Sequence, residues 1–202
     1  LQPDISLEDV LIHGPHGVNY ISGGSAIERA VELSAAERQQ LMNKLTACGA
    51  MADIILIDTG AGLGQSVLDF ILAADEVLLV TTPALTDAYA VMKAYSLQAD
   101  NKNLRIIINR VYDEAESRDV LMKLQRTAER FLRLPLEALG SVYEDRNVMN
   151  AVKRQSPLLA AYPDTLASRC VEAIAKNLLY GGRHEIQWGW RGFLQRLLKF
   201  KE

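Results

Sequence analysis

The chain has 202 residues, of which 49% are hydrophobic and 23% are charged, and its formal net charge is −3. This length suffices for one folded α/β domain with a substantial core, and the weak negative charge excludes a global basic field for nucleic acid. The two cysteines, Cys48 and Cys170, are far apart in apolar helical surroundings, which favours reduced core residues over a disulfide or a metal site.

Capping signals predict two helices near the amino terminus. Ser6, with Asp9 three residues later, has the pattern of a capping box before a short helix. Ser34 and Glu37 form a second such pattern, and the helix that they begin is predicted to end at Gly49. Between these helices the sequence predicts a turn over 13–17 and a short strand over 18–21.

The central feature of the chain is an apolar run between two aspartates, over 53–58. Consecutive apolar residues there predict a strand buried on both faces, as in a parallel sheet, with Asp58 at its carboxyl end. The Thr-Gly-Ala-Gly loop over 59–62 can turn sharply and bring backbone close to a ligand. Two interpretations stay open from this segment alone: ordinary turn chemistry, or a carboxylate site for Mg²⁺ and phosphates.

Beyond this loop, helical and strand patterns alternate along the chain. Such alternation predicts parallel βαβ units, and therefore a three-layer α/β sandwich with a mainly parallel sheet. Helices are predicted over 66–73, 86–97, 116–133 and 164–180, and strands over 76–81, 104–109 and 139–143.

The glycines of the loop, from Gly60 to Gly64, also match part of a dinucleotide-binding fingerprint. That interpretation needs an acidic residue at the end of the next strand to bind a ribose, but this strand ends in Val-Thr-Thr-Pro over 80–83. It also gives Asp58 no use, because a carboxylate without a metal repels a pyrophosphate. A site in which Asp58 holds Mg²⁺ and the glycines sense a terminal phosphate is therefore favoured.

Four motifs are informative in combination. They are the Asp-Thr-Gly-Ala-Gly loop over 58–62, the Gly-Pro-His-Gly-Val turn over 14–18, the Thr-Asp-Ala-Tyr helix start over 86–89, and Asn-Arg at 109–110. With them the chain resembles the MinD/ParA ATPases, and among these the regulators of flagellar number and position. The resemblance covers nearly the whole chain. It implies a P-loop NTPase fold and a cytoplasmic protein that binds ATP and Mg²⁺, dimerises with ATP, and associates with the inner face of the cell membrane.

The resemblance also implies roles for single residues. Asp58 would ligate Mg²⁺ through water, and Gly60 and Gly62 would belong to the loop that senses the terminal phosphate. Asn109 would read adenine, because an amide donates and accepts hydrogen bonds at once, and Arg110 and Asp145 would lie beside the nucleotide. The alternative role for Asn109 is a local cap at the end of a strand.

Three departures from the family pattern accompany the resemblance. The family places its Gly-x-x-x-x-Gly-Lys-Ser/Thr loop upstream of the position of Leu1, and no such loop occurs in this chain. Because that loop cradles the phosphates, we expect the chain as given to be inactive as an ATPase. Only Ala84 and Leu85 stand where the family commonly has a longer loop, and Tyr143 replaces a proline before Asp145.

The carboxyl-terminal residues predict an amphipathic helix, so that 1–180 form the main domain and 181–202 a linker and a membrane-targeting helix. Aromatic and aliphatic residues on one side, with cations on the flanks, are typical of a helix in an anionic membrane interface. A core helix packed on the protein is the alternative, and the lack of acidic residues over 188–201 favours the membrane. The predicted membrane-binding residues are Trp190, Phe193, Leu194, Leu197, Leu198, Arg191, Arg196 and Lys199.

The resemblance thus implies a spatial regulator of flagellar number and placement that alternates between an ATP-bound membrane dimer and a released monomer. The partners that it implies are anionic lipid, a second copy of the chain, a flagellar SRP-like GTPase and flagellar switch proteins, without nucleic acid. Two alternatives stay open: a non-enzymatic adaptor without a nucleotide loop, and a MinD division-site or ParA partition ATPase.

Overall fold

The computed structural model describes residues 6–22, 35–60, 62–99, 104–181 and 189–199, except for the side chains of 35, 37–39, 41–42, 66 and 199. The chain divides into two compact units. The first contains Leu1–Gly60 and Trp188–Glu202, and the second contains Ala61–Gln187. Among the described residues, none of the helices has the length and apolar character needed to cross a membrane. The predicted division into 1–180 and 181–202 stays a prediction.

In the first unit, the described residues start with the predicted capping box. The Ser6 backbone N–H donates to Asp9 Oδ2 at 2.7 Å, and the Asp9 backbone N–H donates to Ser6 Oγ at 3.2 Å. These reciprocal bonds begin a single 3-10 turn, Glu8–Val10. The hydrogen bond from the Ser6 backbone is the main reason why the pKa of Asp9 lies below its ordinary value.

A small hairpin follows and surrounds the predicted turn. Strand β1, Ile12–His13, pairs antiparallel with strand β2, Asn19–Tyr20, and a 3-10 turn over Pro15–Gly17 joins them. The predicted strand over 18–21 is confirmed in shortened form, and its partner β1 is an addition. Helix α1 then spans Ala35–Cys48. Its predicted cap, Ser34, lies outside the described residues.

The prediction of a buried strand over 53–58 is wrong. Residues 54–60 have no regular secondary structure, and the side chains of Ile54 and Leu56 are 56% and 76% exposed. A strand forms only where a neighbour satisfies its backbone N–H and C=O groups, and no described strand pairs with this segment. An apolar run therefore supplies the pattern of a strand without supplying its partner.

The second unit is built on a parallel sheet of strand order β3-β4-β5. Its strands confirm the predicted ones within a few residues, and so do its longer helices. The short helices α5 and α6 were not predicted. The elements are α2 (Gln65–Ala73), β3 (Val77–Thr81), α3 (Leu85–Gln98), β4 (Leu104–Val111), α4 (Glu114–Thr127) continued by a π turn (Ala128–Leu132), β5 (Glu137–Tyr143), α5 (Arg146–Lys153), α6 (Leu158–Ala161) and α7 (Leu166–Tyr180).

Strand β4 separates two apolar layers. Ile106 and Ile108 lie in one cluster with residues of α3 and α4, including Met92 and Leu124. Ile107, between them, points to the opposite face and clusters with Leu139 of β5 and Ile174 of α7. Alternation along the strand thus places helices on both sides of the sheet, as the predicted three-layer sandwich requires.

Helix α8, Gly189–Lys199, returns to the first unit and packs against α1. Phe193 and Leu194 are buried there, with 5% and 3% of their surfaces exposed. The predicted amphipathic helix therefore exists. In this structure its apolar side is covered by protein.

Gln155, which follows α5, has a positive φ of 50°. A side chain in this left-handed region is strained, and glycine adopts it without that cost. We therefore expect Gln155→Gly to raise the free energy of unfolding by about 0.5–1 kcal/mol, as measured by urea denaturation. Gln155→Ala, which keeps a Cβ, is the control and should gain nothing. An equal gain from both variants would show that the φ angle is not the cause.

Candidate nucleotide site and tail helix

Three predicted nucleotide-binding residues lie at the carboxyl ends of two neighbouring strands. Asn109 and Arg110 belong to the end of β4, and Asp145 follows the end of β5. Asn109 pairs with Val142, and a bulge at Arg110 separates this pair from the next, Val111 with Tyr143. Arg110 has a positive φ of 62°, which is uncommon for a residue with a side chain. Backbone strain of this kind is concentrated at functional sites, and ligands bind at this edge of open parallel sheets.

Glu144 is a residue of this edge that sequence reasoning missed. Arg110 Nε donates to Glu144 Oε2 at 2.9 Å, and the Glu144 backbone N–H donates to the Val111 carbonyl at 2.9 Å. The first bond raises the pKa of the Arg110 guanidinium. Because the pair is largely exposed, it orients Arg110 more than it stabilises the fold. The only sequence signal was an acidic residue directly before Asp145.

Asp145 caps helix α5 and also accepts a hydrogen bond from the first turn of α7. Its Oδ1 accepts the backbone N–H of Asn147 at 2.8 Å, at the start of α5, and its Oδ2 accepts the backbone N–H of Ala167 at 3.3 Å, at the start of α7. Hydrogen bonding to the Asn147 backbone is the main reason why the pKa of this carboxyl lies below its ordinary value. The carboxylate thus has a structural use, and its role beside a nucleotide stays a prediction.

We expect Asp145→Ala to lower the free energy of unfolding by about 1–2 kcal/mol, because helix α5 loses its cap and α7 loses a further acceptor. A lowered pKa in the folded state means that the charged form stabilises the fold above the unfolded-state pKa of about 4. The difference between wild type and Asp145→Ala should therefore be constant at neutral pH and shrink as the pH falls below about 4. Urea denaturation at several pH values measures it, and a difference that grows in acid would contradict this assignment.

The predicted metal ligand, Asp58, lies in the first unit on the irregular segment, and its side chain is exposed. Gly60 belongs to the same unit. Gly62 belongs to the second, with a positive φ of 102°, and a Cβ added at either glycine would have no atom within 4 Å. Mg²⁺ keeps several waters and takes one or two protein carboxylates, so the exposed carboxylate of Asp58 fits a contact to this ion through water. Asp58 and Gly60 thus lie in a different unit from Gly62, Asn109, Arg110 and Asp145.

The predicted membrane-binding residues share one helix but differ in exposure. Phe193 and Leu194 are buried, whereas Arg191 is exposed. Trp190, Arg196, Leu197 and Leu198 are half-buried, and the Lys199 side chain lies outside the described residues. Of the two interpretations of the sequence, the structure shows the packed helix, and lipid binding stays a prediction.

Comparison with known proteins identifies related chains, although no family model matches. The chain is 33% identical over 175 residues to the antiactivator FleN of Pseudomonas aeruginosa. The aligned region covers 85% of this chain and 62% of FleN. It is 31% identical over 208 residues to the flagellum site-determining protein YlxH of Helicobacter pylori. That aligned region covers 99% of this chain and 70% of YlxH. The chain thus spans about two thirds of the length of these relatives.

Among solved structures, the fold resembles the MinD cell division protein of Aquifex aeolicus. The TM-score is 0.64 with 19% sequence identity, over 91% of this chain and 73% of the MinD chain. At this identity the similarity supports the fold, which is of the P-loop NTPase type.

Proposed function

Because the chain belongs to the MinD/ParA-type ATPase family, in its FlhG-like group, we propose that the intact protein is an ATP-dependent, membrane-associated regulator of flagellar number and placement. The observation that carries this proposal is the similarity to FleN and YlxH, which extends over 85% and 99% of the chain. The name of YlxH connects that relative with the determination of flagellar sites, and FleN is named an antiactivator. The protein would act in the cytoplasm, at the inner face of the cell membrane.

Asp58 would hold Mg²⁺ through water in the intact protein, with Gly60 and Gly62 leaving space for phosphates. The ion would supply positive charge against the phosphate oxygens of ATP. Asn109 is half-buried at the sheet edge, where its amide can bond to an adenine, and the ion pair of Arg110 with Glu144 orients the neighbouring cation. Asn109 and Arg110 would bind and orient the nucleotide, and the phosphate-binding loop would come from elsewhere in the protein.

The tail helix α8 would be the part that reaches the membrane. A short amphipathic helix binds lipid weakly and reversibly, and a homodimer presents two of them. ATP-dependent dimerisation would then raise the affinity for the membrane through effective concentration, without any new contact to lipid. Release after hydrolysis would return the protein to the cytoplasm. Flagellar switch proteins and an SRP-like GTPase are the candidate partners of this cycle.

The test uses the intact protein and vesicles that contain anionic lipid, with and without ATP. We expect wild type to sediment with the vesicles mainly in ATP, and Asp58→Asn to lose this response together with ATP hydrolysis, by on the order of 100-fold. Phe193→Glu should keep hydrolysis and lose sedimentation. Arg118→Gln, on the exposed face of α4, is the control and should change neither.

Cells that carry the same variants test the biological part, by counting flagella and measuring their positions. Asp58→Asn and Phe193→Glu should both change flagellar number. Normal flagella in Asp58→Asn cells would support the adaptor without enzymatic activity. Misplaced division septa with normal flagella would support the division-site ATPase.

A further inference from the structure

Trp190 of the tail helix occupies a specific place at the carboxyl end of α1. Its indole Nε1 donates to the Leu45 carbonyl at 2.6 Å. The Gly49 backbone N–H, which could have used that carbonyl in a continued helix, donates to Thr46 instead at 3.3 Å. The indole therefore satisfies one of the carbonyls that every helix leaves over at its carboxyl end.

Gly49 provides the space for this ring. A Cβ at position 49 would lie 2.7 Å from Trp190 Cδ1, 3.2 Å from Cγ and 3.3 Å from Cβ. Carbon atoms do not approach to 2.7 Å without a shift, so any other residue displaces the indole. We call Leu45 and Gly49 the tryptophan seat.

The apolar side of the tail helix is buried next to this contact. Trp190 stacks on Phe193, with ring centroids 5.2 Å apart and planes 11° from parallel. Phe193 and Leu194 are buried in this arrangement. Because a membrane would have to take up these two side chains, docking on α1 and insertion into lipid exclude each other.

We propose that Trp190 is a latch that holds the tail helix on α1 at the tryptophan seat and withholds its apolar face from lipid until the contact opens. This inference rests on the proposed membrane role of the helix. The apparent affinity for lipid is then the intrinsic affinity multiplied by the small fraction of undocked helix. Opening the latch raises the apparent affinity without changing any residue that touches lipid.

Gly49→Val tests the latch in the full chain, since it blocks the seat and leaves the tail sequence intact. Hydrogen exchange of the amides over 189–199 reports docking, and sedimentation with vesicles of phosphatidylcholine and phosphatidylglycerol reports lipid binding. We expect faster exchange in the tail and an apparent lipid affinity on the order of tenfold higher than that of wild type. Adding Phe193→Glu to Gly49→Val should remove the gain. Ala50→Val, at the exposed neighbouring residue, is the matched control and should behave as wild type.

Each of the other outcomes would overturn one part of the proposal. Unchanged exchange over 189–199 would show that Gly49 does not hold the helix, and the latch would be wrong. Faster exchange with unchanged lipid binding, while wild type itself binds, would show that docking does not limit binding, and again the latch would be wrong. Faster exchange without lipid binding by wild type or any variant would still support docking of the tail helix at the tryptophan seat in wild type. It would overturn the membrane role in the proposed function, and with it the inference that docking withholds the helix from lipid.

Trp190→Phe supplies a second measurement if Gly49→Val fails to fold. It keeps an aromatic ring over Gly49 and removes the hydrogen bond to Leu45. Exchange over 189–199 should rise several-fold, and lipid binding should rise even though phenylalanine is the weaker interfacial residue. Exchange equal to that of wild type would overturn the latch.

Discussion

Replacing both Glu76 and Glu137 by glutamine should lower the free energy of unfolding by about 3 kcal/mol or more. Arg105 lies on β4 with only 2% of its side chain exposed, and it forms ion pairs with Glu76 Oε1 at 2.9 Å and with Glu137 Oε2 at 3.1 Å. The double variant keeps the shape of both partners and removes their negative charge. A buried guanidinium is then left without the two carboxylates that compensate for its lost hydration.

Arg105→Met is the informative comparison. The two glutamates are 30% and 45% exposed, so they can turn towards water when the cation is removed, and methionine fills most of the space. This variant should cost about 1–2 kcal/mol, less than the double glutamine variant. Urea denaturation followed by circular dichroism measures all three proteins. The opposite order would show that the packing of the Arg105 side chain, rather than its charge, is what the sheet requires.

Gly140→Val should also destabilise the second unit, by about 2–5 kcal/mol. Gly140 has a positive φ of 152°, and a Cβ there would lie 2.8 Å from Ile174 Cγ1 of α7. Backbone strain and a steric clash therefore add together at this point, where the helix approaches the strand. Ala138→Val, at an exposed site two residues earlier in the same strand, should change stability by less than about 1 kcal/mol.

A double-mutant cycle separates the two causes. Ile174→Ala alone should be destabilising because it empties part of the core, but it also removes the atom that a new side chain would strike. Gly140→Val combined with Ile174→Ala should therefore cost less than the sum of the two single changes. If the costs of the two single changes simply add in the double variant, backbone strain alone explains the destabilisation by Gly140→Val.

Much of the second unit could be predicted because its signals are local. In each βαβ unit an apolar run, a turn and an amphipathic helix follow one another, and the strands β3, β4 and β5 have neighbours within the described residues. The segment over 53–58 has the same apolar pattern and no described partner, so the prediction was wrong there. Helix α5 was missed because its eight residues are too short for a periodic signal, although Asp145 is a recognisable cap.

The candidate site could be predicted only in its residue types. The roles of Asn109 and Asp145 were implied by the family resemblance, and no sequence signal showed the positive φ of Arg110 or its ion pair with Glu144. The tail is similar. Its amphipathic helix was predictable from periodicity, whereas the seat for Trp190 depends on Gly49, which in sequence is an ordinary helix-ending glycine.

The exposed apolar segment over 54–57 has a consequence for the behaviour of the chain at high concentration. The segment is rich in isoleucine. Its backbone N–H and C=O groups offer other copies a template for intermolecular β-pairing. Asp53 and Asp58 flank this segment and act as gatekeepers, because stacking copies in register would place like charges above one another. The two flanking charges therefore protect the chain from aggregation through this segment.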